Sequence, residues 1–141
     1  MPTQTYAAEV SGLYDVPATK PSATVVGGRL RRFRATITLA SQADGDTVVL
    51  AKVPAGHSFA YGVLNGSASL STATIAIGNA TTAGKYRASA VHTATVPTLF
   101  GVASAAAGNP STAEEVVILT NTTAALPSSG TLVVDLYFSA P

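Results

Sequence analysis

The chain has 141 residues, no cysteine and a net charge of +1, and only 11% of its residues are Asp, Glu, Lys or Arg, where soluble domains average about 25%. The length favours one domain, and the missing cysteines exclude disulfides, thiolate metal sites and cysteine nucleophiles. Because so little charge accompanies 47% hydrophobic residues, we expect other chains to cover much of the surface, the alternative being a monomer coated with Ser and Thr hydroxyls.

The first 28 residues predict an extended arm. Two prolines and a glycine pair in DVPATKPSATVVGG, residues 15–28, disfavour regular structure, and only TYAAEV, residues 5–10, has the composition of a short strand. We expect residues 1–28 to lie on a neighbouring chain and residues 29–141 to form the domain. The opening MPTQTYAAEV has no basic or apolar targeting region, and no run reaches the roughly 18 apolar residues of a membrane span, so a soluble, cytoplasmically made protein is expected.

An arginine-rich strand opens the domain. Apolar and polar side chains alternate in RFRATITLA, residues 32–40, which predicts a half-buried strand. Half of the eight cationic residues lie in six consecutive positions. This arginine cluster consists of Arg29, Arg31, Arg32 and Arg34. It predicts contact with another protein; nucleic acid, which the near-zero net charge disfavours, and a solvated strand face are the alternatives.

The stretch PAGHSFAYGVL, residues 54–64, contains a near match to the nucleophile turn of α/β-hydrolases. GHSFA lacks the final glycine of G-x-S-x-G, and the chain continues as an alternating strand where a hydrolase needs a helix. No Asp or Glu lies between Ser58 and His92, the later histidine. We therefore predict that Ser58 lies in a turn leading into a strand, with His57 exposed or capping, and that the chain has no catalytic residues.

The remaining motifs for phosphate or metal binding are incomplete. GNATTAGKY, residues 78–86, has one residue too many between its glycines for a phosphate loop, and a tyrosine where that loop needs Ser or Thr. Asp44 and Asp46 have no further carboxylate nearby to share a calcium ion, and two histidines cannot close a zinc site without a third ligand. Turns are predicted at residues 78–86 and at the segment of Asp44 and Asp46, and no cofactor or metal is expected.

Six further strand-like segments follow the first strand, separated by Gly, Pro, Asn and Asp signals. They are TVVLAKV, SFAYGVL, LSTATIAIG, KYRASAVHTATV, EEVVILT and TLVVDLYFSA. Thr, Val and Ile are enriched, the spacing is roughly 10 to 15 residues, and no stretch sustains a helical period. The chain is therefore predicted to be all-β, a β-sandwich or jelly roll with an extended N-terminal arm and almost no helix.

The segment PTLFGVASAAAGNPSTA, residues 97–113, interrupts the strands and is too apolar for a free loop. Leu99 and Phe100 are its largest apolar side chains, and ASAAA could form a single helical turn. A loop this long in a compact domain is usually functional or buried in a contact. We therefore predict that Leu99 and Phe100 contact a partner chain or a neighbouring subunit.

Acidic residues dominate the C-terminal part of the chain. From Ser89 onward there is no Lys or Arg, and the charged residues are Glu114, Glu115 and Asp135. The adjacent glutamates fall on opposite faces of a strand, so they are poorly placed to act as a catalytic acid and base. Together with the arginine cluster, these acids predict two opposite poles that suit pairing between subunits or docking on an acidic surface.

The run RATITLASQADGDTVVLAKVPAGHSFAYGVL, followed by STATIAIG, KYRA, LFGVA, AEEVVILT and SGTLVVDLYF, resembles a group of small structural proteins of tailed bacteriophages that decorate or cement the capsid shell. The resemblance covers residues 30–139 and is one of overall pattern, without an active-site motif. It implies a non-enzymatic β-sandwich or jelly-roll subunit, often a homotrimer, on the capsid surface of the virion. The implied partners are the major capsid protein and further copies of the chain, with no membrane partner.

Two other classes of protein are compatible with the sequence. One is a different virion component, such as a head fibre, neck or tail protein, which composition does not separate from a cement protein. The other is a carbohydrate-binding β-sandwich, which should display solvent-facing aromatic side chains for stacking on sugars. The sequence has no Trp and five scattered Tyr, which disfavours this class.

Overall fold

The structure, a computed structural model, describes residues 3–5, 11–21, 23, 26–106 and 110–140. Its strands are β1 (Arg29–Thr38), β2 (Thr47–Val53), β3 (Ser58–Gly66), β4 (Thr74–Gly78), β5 (Arg87–Val91), β6 (Thr98–Phe100), β7 (Glu115–Thr122) and β8 (Thr131–Ala140). The helical elements of the described part are a 3₁₀ turn at Gly12–Tyr14 and one α-helical turn, α1, at Ala103–Ala106. The all-β prediction is therefore confirmed.

The strands form two antiparallel sheets of four strands each. The first sheet has the order β1-β8-β3-β6, and the second sheet has the order β2-β7-β4-β5. In both sheets, the strands are paired as they would be if one long hairpin were rolled up: β1 with β8, β2 with β7, β3 with β6 and β4 with β5. This strand order is that of a jelly roll, one of the two architectures that the sequence predicts.

The core lies between the two sheets. In β8, at the centre of the first sheet, alternate side chains point inward and are almost fully buried: Leu132, Val134, Leu136 and Phe138. An aromatic cluster fills one end, where the ring centroids of Phe59 and Tyr86 lie 4.5 Å apart. Each fully buried Leu, Val or Phe side chain stabilises the fold by roughly 1.5 to 3 kcal/mol. The period-two pattern of the sequence is thus the pattern of burial.

Most predicted strands are present, with changed bounds. The half-buried strand of residues 32–40 is β1, with Ile37 inside and Thr36 and Thr38 exposed. β6 is absent from the sequence-based prediction, because three residues are too few for alternation to show. The helical turn expected in ASAAA is α1. The short strand expected at residues 5–10 falls mostly on residues 6–10, which lie outside the described part of the chain.

Candidate interaction surface

The outer face of the first sheet brings together residues that are far apart in sequence. In the register of the four strands, Arg34 lies opposite Asp135, Asp135 opposite Val63, and Val63 opposite Leu99. In the neighbouring row, Arg32 lies opposite Tyr137 and Tyr137 opposite Tyr61. Two members of the arginine cluster, Arg32 and Arg34, therefore share one surface with Leu99.

Arg34 is held on this face by a two-pronged ion pair. Its Nε donates to Oδ1 of Asp135 and its Nη2 donates to Oδ2, both at 2.8 Å. The hydrogen bonds from Arg34 lower the pKa of Asp135, against the effect of burial, and Arg32 adds to the lowering. The Asp135 side chain is 10% exposed and that of Arg34 is 52% exposed. The pair fixes the guanidinium and buries the carboxylate beneath it.

The two charge poles expected from the sequence do not form. Asp135 pairs with Arg34, Glu115 with Lys85, and Glu114 with Lys52 at 3.4 Å, so each of these acids already has a cation beside it. The cause is topological, because the jelly roll places the last strand next to the first. Among the described residues, no carboxylate lies within ion-pair distance of the other three members of the arginine cluster, Arg29, Arg31 and Arg32.

Two tyrosines that are scattered in sequence stack on the outer face. The ring centroids of Tyr61 and Tyr137 lie 4.7 Å apart and the planes differ by 17°. Tyr61 is 37% exposed. Sequence reasoning missed this pair, although alternation in SFAYGVL and TLVVDLYFSA puts both residues on the polar side of their strands. Only the register between β3 and β8, which the sequence does not give, makes them neighbours.

Leu99 and Phe100 point to opposite sides of β6. Leu99 is 72% exposed on the outer face. Phe100 is half-buried and packs against the core. Its ring covers Gly62 so closely that a Cβ added there would lie 2.1 Å from its Cζ. In this chain Leu99 is therefore free to contact a partner, while Phe100 attaches β6 to the sheet; contact by either residue stays a prediction.

A partly buried polar cluster lies at one end of the sandwich. Glu115 accepts hydrogen bonds from Lys85, from the hydroxyl of Tyr86, and from Nδ2 of Asn79 at 3.0 Å. Burial raises the pKa of Glu115, but these hydrogen bonds outweigh it and the net shift is downward. Burial and the contact with Glu115 raise the pKa of Tyr86. An ionised acid held by three donors joins β7 to the β4–β5 connection.

The residues considered for catalysis and metal binding do not assemble. Ser58 begins β3, as the sequence predicts, and it is 8% exposed. The neighbouring His57 ring nitrogen Nδ1 lies 3.0 Å from the carbonyl oxygen of Pro54. In the described ranges, no three His, Asp or Glu side chains group as metal ligands would. Within the same ranges, no helix has the length and apolar character needed to cross a membrane.

Solved structures of phage capsids contain chains with the same fold. A chain of the cyanophage Pam1 capsid asymmetric unit and one of the capsid of Ralstonia phage GP4 each align with a TM-score of 0.63 and 16% identity, over 81% of this chain and 86% of theirs. A chain of the acidic stable capsid structure of Helicobacter pylori bacteriophage KHP30 aligns with a TM-score of 0.59 and 14% identity, over 79% and 88%. No protein-family model and no curated protein matches the sequence.

At these identities the likeness concerns the fold. The jelly roll implied by the resemblance to small phage structural proteins is the fold that this chain has, and chains in phage capsid structures share it.

Proposed function

We propose that this protein is a non-enzymatic structural subunit of a tailed-phage virion, and that it decorates and cements the assembled head. The observation that carries the proposal is the likeness of its fold to chains in three phage capsid structures. The low charge content supports it independently. A chain in which only 11% of all residues are charged suits a subunit whose surface is covered by other chains.

The outer face of the first sheet is the proposed contact with the major capsid protein. It carries an exposed apolar side chain in Leu99, the stacked pair of Tyr61 and Tyr137, and the exposed Arg32. Arg, Tyr and apolar anchors are the residue types that carry most binding energy in protein interfaces. The protein would be made in the host cytoplasm and bind to the capsid surface after the shell has formed.

Preference for the assembled shell provides the mechanism. A ligand that binds the shell but not free subunits stabilises the shell by mass action, by about 2.7 kcal/mol per site at 100 times the Kd. A homotrimer would present three contact surfaces at once. Multivalent attachment of this kind converts weak single contacts into durable binding.

Light scattering and cosedimentation test the proposal together. The purified protein should have three times the 14.1 kDa mass of one chain, and it should pellet with capsids that lack it but not with free capsid subunits. Decorated shells should withstand more heating than bare ones. A monomer that stays in the supernatant contradicts the proposal. Labelling confined to the neck, tail or fibres of the virion would instead identify another virion component.

Binding of carbohydrate is the second candidate function, because the Tyr61–Tyr137 pair supplies the exposed aromatic surface that scattered tyrosines do not. A glycan array probed with the full-length protein tests it. Binding that is lost in Tyr61→Ala, while Leu99→Ala still binds, would support this function. An array without signal excludes it.

A further inference from the structure

The backbone of β1 has one side bonded and one side open. β1 is at the end of the first sheet, and β8 is its paired neighbour. The amide of Leu39 donates to the carbonyl of Gly130 at 2.9 Å, in continuation of the β1–β8 register, and the amide of Ser67 donates to Thr131 from the β3 side at 2.8 Å. Along an antiparallel strand, residues whose backbone groups bond to the neighbouring strand alternate with residues whose backbone groups point away from it. Odd-numbered β1 residues therefore bond to β8, and even-numbered ones face the open edge.

The open edge is long. Its edge-facing groups belong to Leu30, Arg32, Arg34, Thr36 and Thr38. At the far end Nε2 of Gln42 donates to the carbonyl of Thr38 at 2.9 Å. From Leu30 to Thr36, no backbone group in the described ranges bonds to this edge. Such an edge is a template for an added strand.

The charge along β1 selects the strand that could be added. Arg31 and Arg32 are consecutive, so their side chains lie on opposite faces of the sheet, and both are exposed. Among the described residues, no carboxylate lies within ion-pair distance of either arginine, although Arg32 is near enough to Asp135 to lower its pKa. A second copy of β1 would set arginines against arginines, which disfavours pairing between copies. A strand with two adjacent acidic residues would place one carboxylate opposite each arginine.

We propose that β1 accepts an extended acidic segment of a shell subunit as a fifth strand of the first sheet. The proposal rests on the proposed function, since the shell is the source of the segment. Backbone hydrogen bonds to the even-numbered β1 residues hold the strand in place, and Arg31 and Arg32 select it by charge. The exposed Leu30 adds an apolar contact at the open end.

Hydrogen exchange measured by NMR on the full-length protein tests the edge directly. The probe is a short synthetic peptide of Thr and Val with a central pair of adjacent Glu. In the free protein, the amides of Arg32, Arg34 and Thr36 should exchange faster than those of Phe33, Ala35 and Ile37. With peptide at 100 times its Kd, exchange at the first set should slow about 100-fold. Edge amides already protected in the free protein would overturn the proposal, since the chain's own arm or a second copy would then occupy the edge.

Two control peptides separate backbone pairing from simple charge attraction. Replacing the central Glu pair with Lys should abolish protection, because the charges then repel. N-methylation of alternate amides should also abolish it, because the strand can no longer pair. Protection by the methylated peptide equal to that by the parent would show that no strand is added.

Variants of β1 connect the edge to the shell. The double change Arg31→Glu with Arg32→Glu should weaken binding of the acidic peptide at least about tenfold, whereas changing both to Lys should preserve it. Lys20→Glu, an exposed cation outside the strand, is the matched control. If the double-Glu variant still pellets with shells like the parent, the edge proposal fails and the proposed function stands. If the parent itself does not pellet, the proposed function fails, and with it the shell as source of the strand.

Discussion

Replacing Gly62 with alanine tests how β6 is attached to the first sheet. A Cβ at this position would lie 2.1 Å from Cζ of Phe100 and 2.5 Å from each Cε, where ordinary contact begins at 3.4 Å. The backbone at Gly62 lies outside the left-handed region, so alanine adds no backbone strain there. The ring of Phe100 must therefore shift away from β3, either by rotating or by carrying β6 with it.

The size of the effect follows from the packing. Overpacking of this kind costs about 1 to 3 kcal/mol of unfolding free energy. Phe100→Ala alone removes a half-buried ring and should cost about 1 kcal/mol or slightly more. Once the ring is gone, Gly62→Ala has nothing to clash with, and alanine in a strand is favoured over glycine by roughly 0.5 to 1 kcal/mol. The same substitution should thus destabilise the parent and leave the Phe100→Ala protein unchanged or more stable.

Urea unfolding of the parent, both single variants and the double variant, at one protein concentration, measures this coupling. Gly101→Ala is the matched control, because a Cβ there would meet the Phe59 ring at an ordinary 3.5 Å, and it should change stability by less than about 0.5 kcal/mol. If Gly62→Ala lowers the free energy of unfolding equally with and without the Phe100 ring, the two sites are independent and the ring does not pack over Gly62.

Three further predictions concern charge and contact. The pKa of Asp135 is lowered in the folded protein. The stability that its ionised carboxylate provides is therefore complete above the ordinary pKa of 3.8 and declines as pH falls below it. The free energy of unfolding of Asp135→Asn should decline less steeply with acid than that of the parent. Burial, aided by Arg87, lowers the pKa of His92, so stability should also decline as pH falls below 6.5. In unfolding free energies measured from about pH 7 to 5, His92→Gln should remove that decline. An unchanged decline would point to another group. Leu99→Glu should leave stability within about 0.5 kcal/mol yet reduce pelleting with shells, and undiminished pelleting would remove Leu99 from the contact.

The fold was readable from the sequence because burial in a sandwich follows a period of two. In TLVVDLYFSA the inward apolar positions Leu132, Val134, Leu136 and Phe138 are all buried, and no knowledge of partners is needed to see them. The order of the strands in each sheet was not readable in the same way. It depends on which strands pair across long stretches of sequence, as Arg34 does with Asp135 at a separation of 101 positions, and local patterns carry no information about that.

The candidate surface was predictable only in its separate parts. Arg32, Arg34 and Leu99 were identified from charge and apolarity, but their common face follows from the register. The two charge poles were a wrong prediction for the same reason, because distance along the chain was taken for distance in space. The contact of Phe100 with a partner stays a prediction. Gly62, which has no side chain and so makes room for the Phe100 ring, shows that this ring also belongs to the packing within the subunit.

The rolled-hairpin order also governs when the chain can fold. β8 lies between β1 and β3, so the first sheet cannot reach its native order until the last strand has been synthesised. β1 and β3 leave the ribosome without β8, the neighbour that they share, and closing a loop as long as the one between β1 and β8 makes folding slow compared with a chain of local contacts. During translation β1 therefore has no partner strand until β8 emerges, and its arginines disfavour pairing between nascent copies in that interval.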